Sequence, residues 1–208
     1  MKRLFFTFLC ATLTLSLMAE PTMNRRLHPH EIRLGYGDPL FETMVWHNSA
    51  AVDYGKGTEN YRFTGHIMLE YQYRFNYWFS FGAQVDYQQV LWDETEYILG
   101  EKAVYPNHYF YDISLIPTMR FTYYHNYWVN LYSALGAGLL VNGGTEVDIK
   151  GRHVAFAPVI NGTLLGVSVG KEYFFGSLEL GAMTSLLNAN TIYMVGSRLI
   201  TASVGVRF

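Results

Sequence analysis

From its last residue backwards the chain alternates. Phe208, Val206, Val204, Ala202 and Ile200 are apolar, and the interleaved Arg207, Gly205, Ser203 and Thr201 are polar or small. A period of two gives a strand one apolar face and one polar face. A terminal strand of a soluble sandwich would share that pattern, so the rest of the chain must decide. Residues 61–75 repeat it over a longer run. Tyr61, Phe63, Gly65, Ile67, Leu69, Tyr71, Tyr73 and Phe75 fall on one face, and Arg62, Thr64, His66, Met68, Glu70, Gln72 and Arg74 on the other. The rings of the apolar face gather toward its two ends, with Gly, Ile and Leu between. Amphipathic rings favour a membrane–water interface, and a sandwich has no reason to sort aromatics by height.

The pattern continues through further strands. A short first strand places Ile32, Leu34 and Tyr36 outward and Glu31, Arg33 and Gly35 inward. After a turn near Asn76, Phe79, Phe81, Ala83, Val85 and Tyr87 oppose Ser80, Gly82, Gln84, Asp86 and Gln88. The fourth strand turns Tyr109, Tyr111, Ile113, Leu115, Met119, Phe121 and Tyr123 outward and Asp112, Ser114, Thr118, Arg120 and Thr122 inward. The fifth, after a turn at His125 and Asn126, shows Val129, Leu131, Leu135, Ala137 and Leu139 outward and Asn130, Tyr132, Ala134, Gly136 and Gly138 inward. A sixth runs to about Gly170, but its two faces resist phasing. Lys171 and Glu172 mark the next turn. The seventh places Leu178, Leu180 and Ala182 opposite Ser177, Glu179 and Gly181. Pro117 and Pro158 fall inside strands, where each removes a ladder hydrogen bond and predicts a bulge.

Eight strands result, joined alternately by long and short connections. The long ones cover about 38–60, 91–107, 142–153 and 188–191. An even number of strands, with short turns on one side and long loops on the other, predicts an all-β, antiparallel up-and-down transmembrane barrel. A sandwich would need irregular crossovers, and its core would have to take Glu and Arg at several kcal/mol for each unpaired charge.

On this alternation, this topology and the terminal Val204-Gly205-Val206-Arg207-Phe208, the chain resembles the small eight-stranded bacterial outer-membrane β-barrel family of OmpA and OmpX type. The resemblance spans nearly all of the chain after its first residues. It implies a Gram-negative outer-membrane location, short periplasmic turns and long extracellular loops. It also implies that Ile200, Ala202, Val204, Val206 and Phe208 form the insertion signal read by the barrel-insertion machinery. The pattern is specific for the fold and nearly silent on activity.

The N-terminus fits export. Lys2 and Arg3 precede an apolar stretch from Leu4 to Met18, and Ala19 offers a small residue for cleavage. Residues 1–19 are therefore expected to be a secretory signal peptide and 20–208 the barrel domain. Cys10, the single cysteine, would leave with the signal, so the mature chain has no thiol chemistry. Without Lys2 and Arg3 there are 13 basic residues against 17 acidic, a net charge of about −4 with His neutral. No basic footprint for nucleic acid is present. Aromatics make up 17%, with 17 Tyr, 14 Phe and 19 Gly, which suits strands with one face in lipid.

An eight-stranded barrel is just wide enough to be filled by its own side chains. The inward charges are expected to be Glu31, Arg33, Arg62, Glu70, Arg74, Asp86, Asp112, Arg120, Glu179 and Arg207, five acids and five bases that could pair into a neutral plug. His66 joins them. A three-residue turn at Asn76 would set His66 opposite Asp86 and make the pair pH-sensitive. Arg198 falls on the outward face near the upper edge of the lipid, where it could meet lipopolysaccharide phosphates or simply snorkel to the interface.

The expected function is a non-enzymatic structural or surface-binding barrel, with lipid, lipopolysaccharide and the insertion machinery as partners and an extracellular ligand on its loops. The first loop carries Phe41, Met44, Val45 and Trp46, and the second Trp92 and Tyr97. Exposed apolar residues of this kind suggest binding. One alternative is a porin-like narrow channel or hydrophobic-solute port, gated where Glu–Arg pairs exchange partners. Another is a lipid A-modifying enzyme. His47-Asn48-Ser49 matches the His-x-Ser of lipid A deacylases, but it lies in the first loop with no acid placed to orient His47. His28 and His30 are two ligands where a metal site usually needs three or four, so no metal and no cofactor are expected.

Overall fold

The computed structural model describes residues 28–37, 62–98, 101–144, 154–171, 173–185 and 199–208. Eight strands make up the wall. They are β1 (His30–Gly37), β2 (Arg62–Phe63 and His66–Arg74, two pieces of one strand), β3 (Phe79–Ile98), β4 (Glu101–His125), β5 (Val129–Gly144), β6 (Val154–Gly170), β7 (Phe174–Ser185) and β8 (Ile200–Arg207). Each pairs antiparallel with its neighbours in the sequence, and β1 pairs with β8, so the sheet closes on itself. Closure leaves no open edge around the ring, the condition for a sheet to stand in lipid.

The short turns gather at one end. Asn76 Oδ1 accepts hydrogen bonds from the backbone N–H groups of Trp78 (3.1 Å) and Phe79 (2.8 Å). Asn126 Oδ1 does the same for Trp128 (2.8 Å) and Val129 (2.7 Å). In both turns an asparagine side chain stands in for a backbone acceptor. The start of β1 and the end of β8 meet there too, as His30 and Phe208 exchange N–H···O bonds of 3.0 Å in both directions.

Several expectations need correction. Residues 91–107 are not a loop. β3 and β4 continue as a hairpin, pairing through Trp92↔His108 to Ile98↔Glu101. Beyond the wall neither face of this ribbon need be apolar, so the alternation that marks a wall strand fades there. The 61–75 strand is broken at Thr64 and Gly65. Gly65 takes a φ of +81°, and a Cβ there would strike the Tyr36 ring. It was expected outward but is buried.

Neither proline makes a bulge. At Pro117, β4 stays in register with β3 (Ala83↔Pro117), and its pairing with β5 resumes without a slip. Gly138 allows this, since a Cβ there would strike the Leu115 carbonyl and the Ile116 backbone. Pro158 pairs in register with Leu139, just above the last described pair of β6 with β7, Val159↔Ser185.

Besides the shift between Trp92 and Glu94 in the hairpin, the irregularities are two, between Thr122 and Tyr124 on β4 and at Leu164 on β6. The second explains the unphased strand. Ala157, Val159, Asn161 and Thr163 point inward on odd numbers, and after Leu164 the inward residues are Gly166 and Ser168. One extra residue reverses the parity. Ser133 Oγ donates to the Leu164 carbonyl at 2.7 Å and holds the bulge in place.

Candidate functional site

The inward rows of β1, β2, β4, β7 and β8 converge in the lower lumen, toward the short-turn end. β1 supplies Glu31 and Arg33, β2 Glu70 and Gln72, β4 Arg120, β7 Glu179 and β8 Arg207, all buried. Arg33 reaches across the barrel, with Nη1 2.5 Å from Glu179 and Nη2 bonded to Glu70. Arg120 bonds Glu31 through Nη1 and Glu70 through Nη2, the latter at 2.9 Å. Arg207 Nε donates to Glu31 at 3.0 Å and Nη2 to Ser168 at 3.0 Å.

Tyr132 of β5 binds the group together. Its hydroxyl accepts from Arg33 Nη1 at 2.6 Å and donates to Glu179 at 2.7 Å, while its ring lies 4.8 Å beneath the Arg120 guanidinium. Gln72 Nε2 donates to Glu70 and to Thr118, each at 2.6 Å, and Thr163 Oγ1 to Glu179 at 3.2 Å. Every oxygen of the three glutamates is therefore engaged. Buried charges at this density are tolerable only when paired and hydrogen-bonded.

Above this layer the filling changes. Ile116, Leu140, Ala157, Val159 and Met183 form an apolar cluster on one flank of the lumen. On the other, His66 Nε2 lies 2.8 Å from Asp86 Oδ1. The contact was anticipated but its register was not. The strands set Met68, not His66, opposite Asp86, and the imidazole reaches Asp86 diagonally. Gln84 Nε2 donates to both oxygens of Asp86 at 2.7 Å, and Ser114 Oγ to one at 3.0 Å. Asp112 takes its hydrogen bond from Asn142.

Among the described residues, arginine–glutamate pairing is confined to the lower layer. Among the described residues no guanidinium bonds Asp112, and Arg74 is half-buried at the end of β2 without an ion pair. The side chain of Arg62, Arg198, the His47–Ser49 motif and the first-loop residues Phe41–Trp46 lie outside the described residues. So do the side chains of Trp92 and Tyr97. His28 and His30 do not converge. His28 lies tilted against Tyr173 at 4.9 Å, and His30 stacks on Phe208 at 5.3 Å. Among the described residues no three His, Cys, Asp or Glu side chains come together as a metal site.

The outer wall reverses an ordinary protein. The adjacent residues Arg33 and Leu34 are 2% and 57% exposed. Leu115, Leu139, Leu178 and Val204 stand out from the wall in the same way, as do the terminal-strand residues Ile200, Ala202, Val206 and Phe208. Rings such as Tyr73, Phe75, Trp78, Tyr127 and Trp128 crowd the short-turn end. A closed sheet with charges inside, aliphatics outside and rings at its rim is built for lipid. The described strands form a closed, antiparallel eight-stranded β-barrel with an apolar outer face.

No protein-family model and no curated protein matches the barrel. Among solved structures it is similar to Ail, the attachment invasion locus protein of Yersinia pestis, in complex with the heparin analogue sucrose octasulfate. That likeness has 16% identity and a TM-score of 0.42, covering 88% of this chain and 100% of that one. It is also similar to LpxR from Salmonella typhimurium, with 10% identity and a TM-score of 0.31 over 86% of this chain and 100% of that one. Likenesses this loose carry no inference about activity, and the fold rests on the closed ring of strands itself.

Tyr132, Gln72, Thr118, Gln84, Ser114, Asn142, Thr163 and Ser168 complete the lumen network and were not singled out by sequence. All but Asn142, Thr163 and Ser168 lie in inward rows that alternation already revealed. What was missing was cross-barrel distance, which no strand pattern contains.

Proposed function

We propose that this protein is an integral outer-membrane barrel whose lumen is a structural plug and whose activity is non-enzymatic surface binding through the loops at the end opposite the short turns. The observation that carries the reading is the saturation of the lower lumen. Glu31, Glu70 and Glu179 have every oxygen engaged by Arg33, Arg120, Arg207, Tyr132, Gln72 or Thr163. An apolar cluster fills part of the level above. A lumen knitted together in this way favours rigidity over passage and leaves recognition to the loops.

Planar-bilayer conductance of the refolded protein tests the plug, once heating shifts its gel mobility as a closed barrel should. Absence of discrete steps is expected. Stable steps that change in Glu179→Ala or Arg120→Ala would overturn the reading and make the barrel a channel gated by its inner charges. A changed lipid A mass in cells expressing the protein would instead identify a lipid-modifying enzyme.

A further inference from the structure

Among the described residues the lower lumen holds one guanidinium more than its ion pairs use. Arg33, Arg120 and Arg207 take up the oxygens of Glu31, Glu70 and Glu179, and Arg74 pairs with none of these. Arg74 is the last inward residue of β2, anchored by its backbone N–H to the Pro29 carbonyl at 2.7 Å, directly before the Phe75–Trp78 turn. It is half-buried at the short-turn end of its strand. Arg207 and Arg120 lie within electrostatic reach of it, and the carboxylate in that reach is Glu31. Glu31 is itself acted on by all four arginines, and both of its oxygens are already bonded. The mouth therefore presents a cationic fork beside two further guanidiniums, with no internal acceptor for it among the described residues.

We propose that the short-turn mouth of the lumen is an oxyanion site centred on Arg74, taking a carboxylate or phosphate group from that side of the membrane. Arginine's planar donors match both groups bidentately, and Arg74 carries the one positive charge that the described ion pairs of the lower lumen leave over, which draws an anion in. The site differs from the loops invoked for surface binding, since it lies at the opposite end of the barrel.

The full chain, refolded in detergent micelles, is titrated with inorganic phosphate and separately with acetate at constant ionic strength set by chloride. Urea unfolding is the readout. A ligand at ten times its dissociation constant is expected to raise the folded-to-unfolded ratio about tenfold. Arg74→Gln should abolish that rise, and Lys171→Gln, which removes another cation of the same end, should keep it. A response to both anions assigns the site to carboxylates and phosphates alike. A response to phosphate alone narrows it to phosphate. No response in the wild type, or an undiminished response in Arg74→Gln, overturns the proposal. Should Arg74→Gln fail to close into a barrel, Arg74→Lys replaces it. That variant keeps the charge and loses the fork, so most of the response should go, and an unchanged response would again overturn the site.

Discussion

Arg33→Met is the sharpest test of the lumen network. The substitution keeps a long side chain of similar reach and deletes one guanidinium. Four partners lose this donor: Glu179 at 2.5 Å, the Tyr132 hydroxyl at 2.6 Å, Ser177 Oγ at 3.3 Å, and Glu70. Glu70 retains Arg120 and Gln72. Glu179 keeps hydrogen bonds from Tyr132 and Thr163 but loses the arginine that bonds it. At an effective dielectric near 20, a pair about 4 Å apart is worth about 4 kcal/mol. Breaking a buried pair from one side typically costs about 3–5 kcal/mol, because the remaining charge is left uncompensated. The single variant should therefore lose about 3–5 kcal/mol in urea unfolding followed by tryptophan fluorescence and gel mobility. Arg33→Met combined with Glu179→Leu removes both charges and should recover a large part of that loss, a coupling of about 1–3 kcal/mol. A loss under about 1 kcal/mol for Arg33→Met, or strict additivity in the double variant, would refute the network as drawn.

Three further outcomes follow from particular contacts. Gly82→Ala would drive a Cβ into the Tyr71 carbonyl and the Gln72 backbone, so a loss of about 1–3 kcal/mol is expected in the same unfolding assay. Ser133→Ala removes the hydroxyl that bonds the Leu164 carbonyl across the bulge and should cost about 1 kcal/mol, read in the same way. Asp112→Asn should behave unlike any glutamate variant. Asp112 is buried with Asn142 as its hydrogen-bond partner, and Asn142 Oδ1 and Asp112 Oδ2 lack partners. An amide at 112 removes the charge and offers a donor to Asn142, so the urea midpoint should stay level or rise, and a marked fall would contradict the geometry.

How far the sequence could be read depended on whether a feature was local. The wall was legible because lipid outside and charge inside impose a period of two on every strand that stays in register. That logic placed Glu31, Arg33, His66, Glu70, Asp86, Asp112, Arg120, Glu179 and Arg207 inside correctly. It failed where one residue changes the parity. Leu164 reverses the faces of β6, and nothing about a leucine in Gly162-Thr163-Leu164-Leu165-Gly166 announces the extra position. It failed again at 91–107, where β3 and β4 run on as a paired hairpin from Trp92↔His108 to Ile98↔Glu101 without the alternation of a wall strand. Pairing across the lumen was illegible for a third reason. Arg33 meets Glu70 on the neighbouring strand, but it meets Tyr132 and Glu179 only through the diameter of the closed ring.

The charges do more for register than for stability. A buried ion network seldom stabilises more than a well-packed apolar filling of the same volume would. A one-residue slip of β1, however, would carry Glu31 and Arg33 to the lipid face and bring Ile32 and Leu34 inside. An arginine on the lipid face of a barrel costs about 2–4 kcal/mol at the bilayer midplane. The slip would also strand Glu179 and Glu70 without the donor that bonds them both. Both penalties fall on the misregistered barrel and neither on the native one. The inner charges thus act chiefly against wrong pairings at the seam where β1 and β8 close the ring, with Arg33↔Gly205 and Glu31↔Arg207 in register. Gly205 admits this because a Cβ there would strike the Phe175 ring and the Ile32 carbonyl, so the crowded closing position tolerates only glycine. The terminal strand is therefore specified twice, by its apolar outer face for the lipid and by Gly205 and Arg207 for its partner strand.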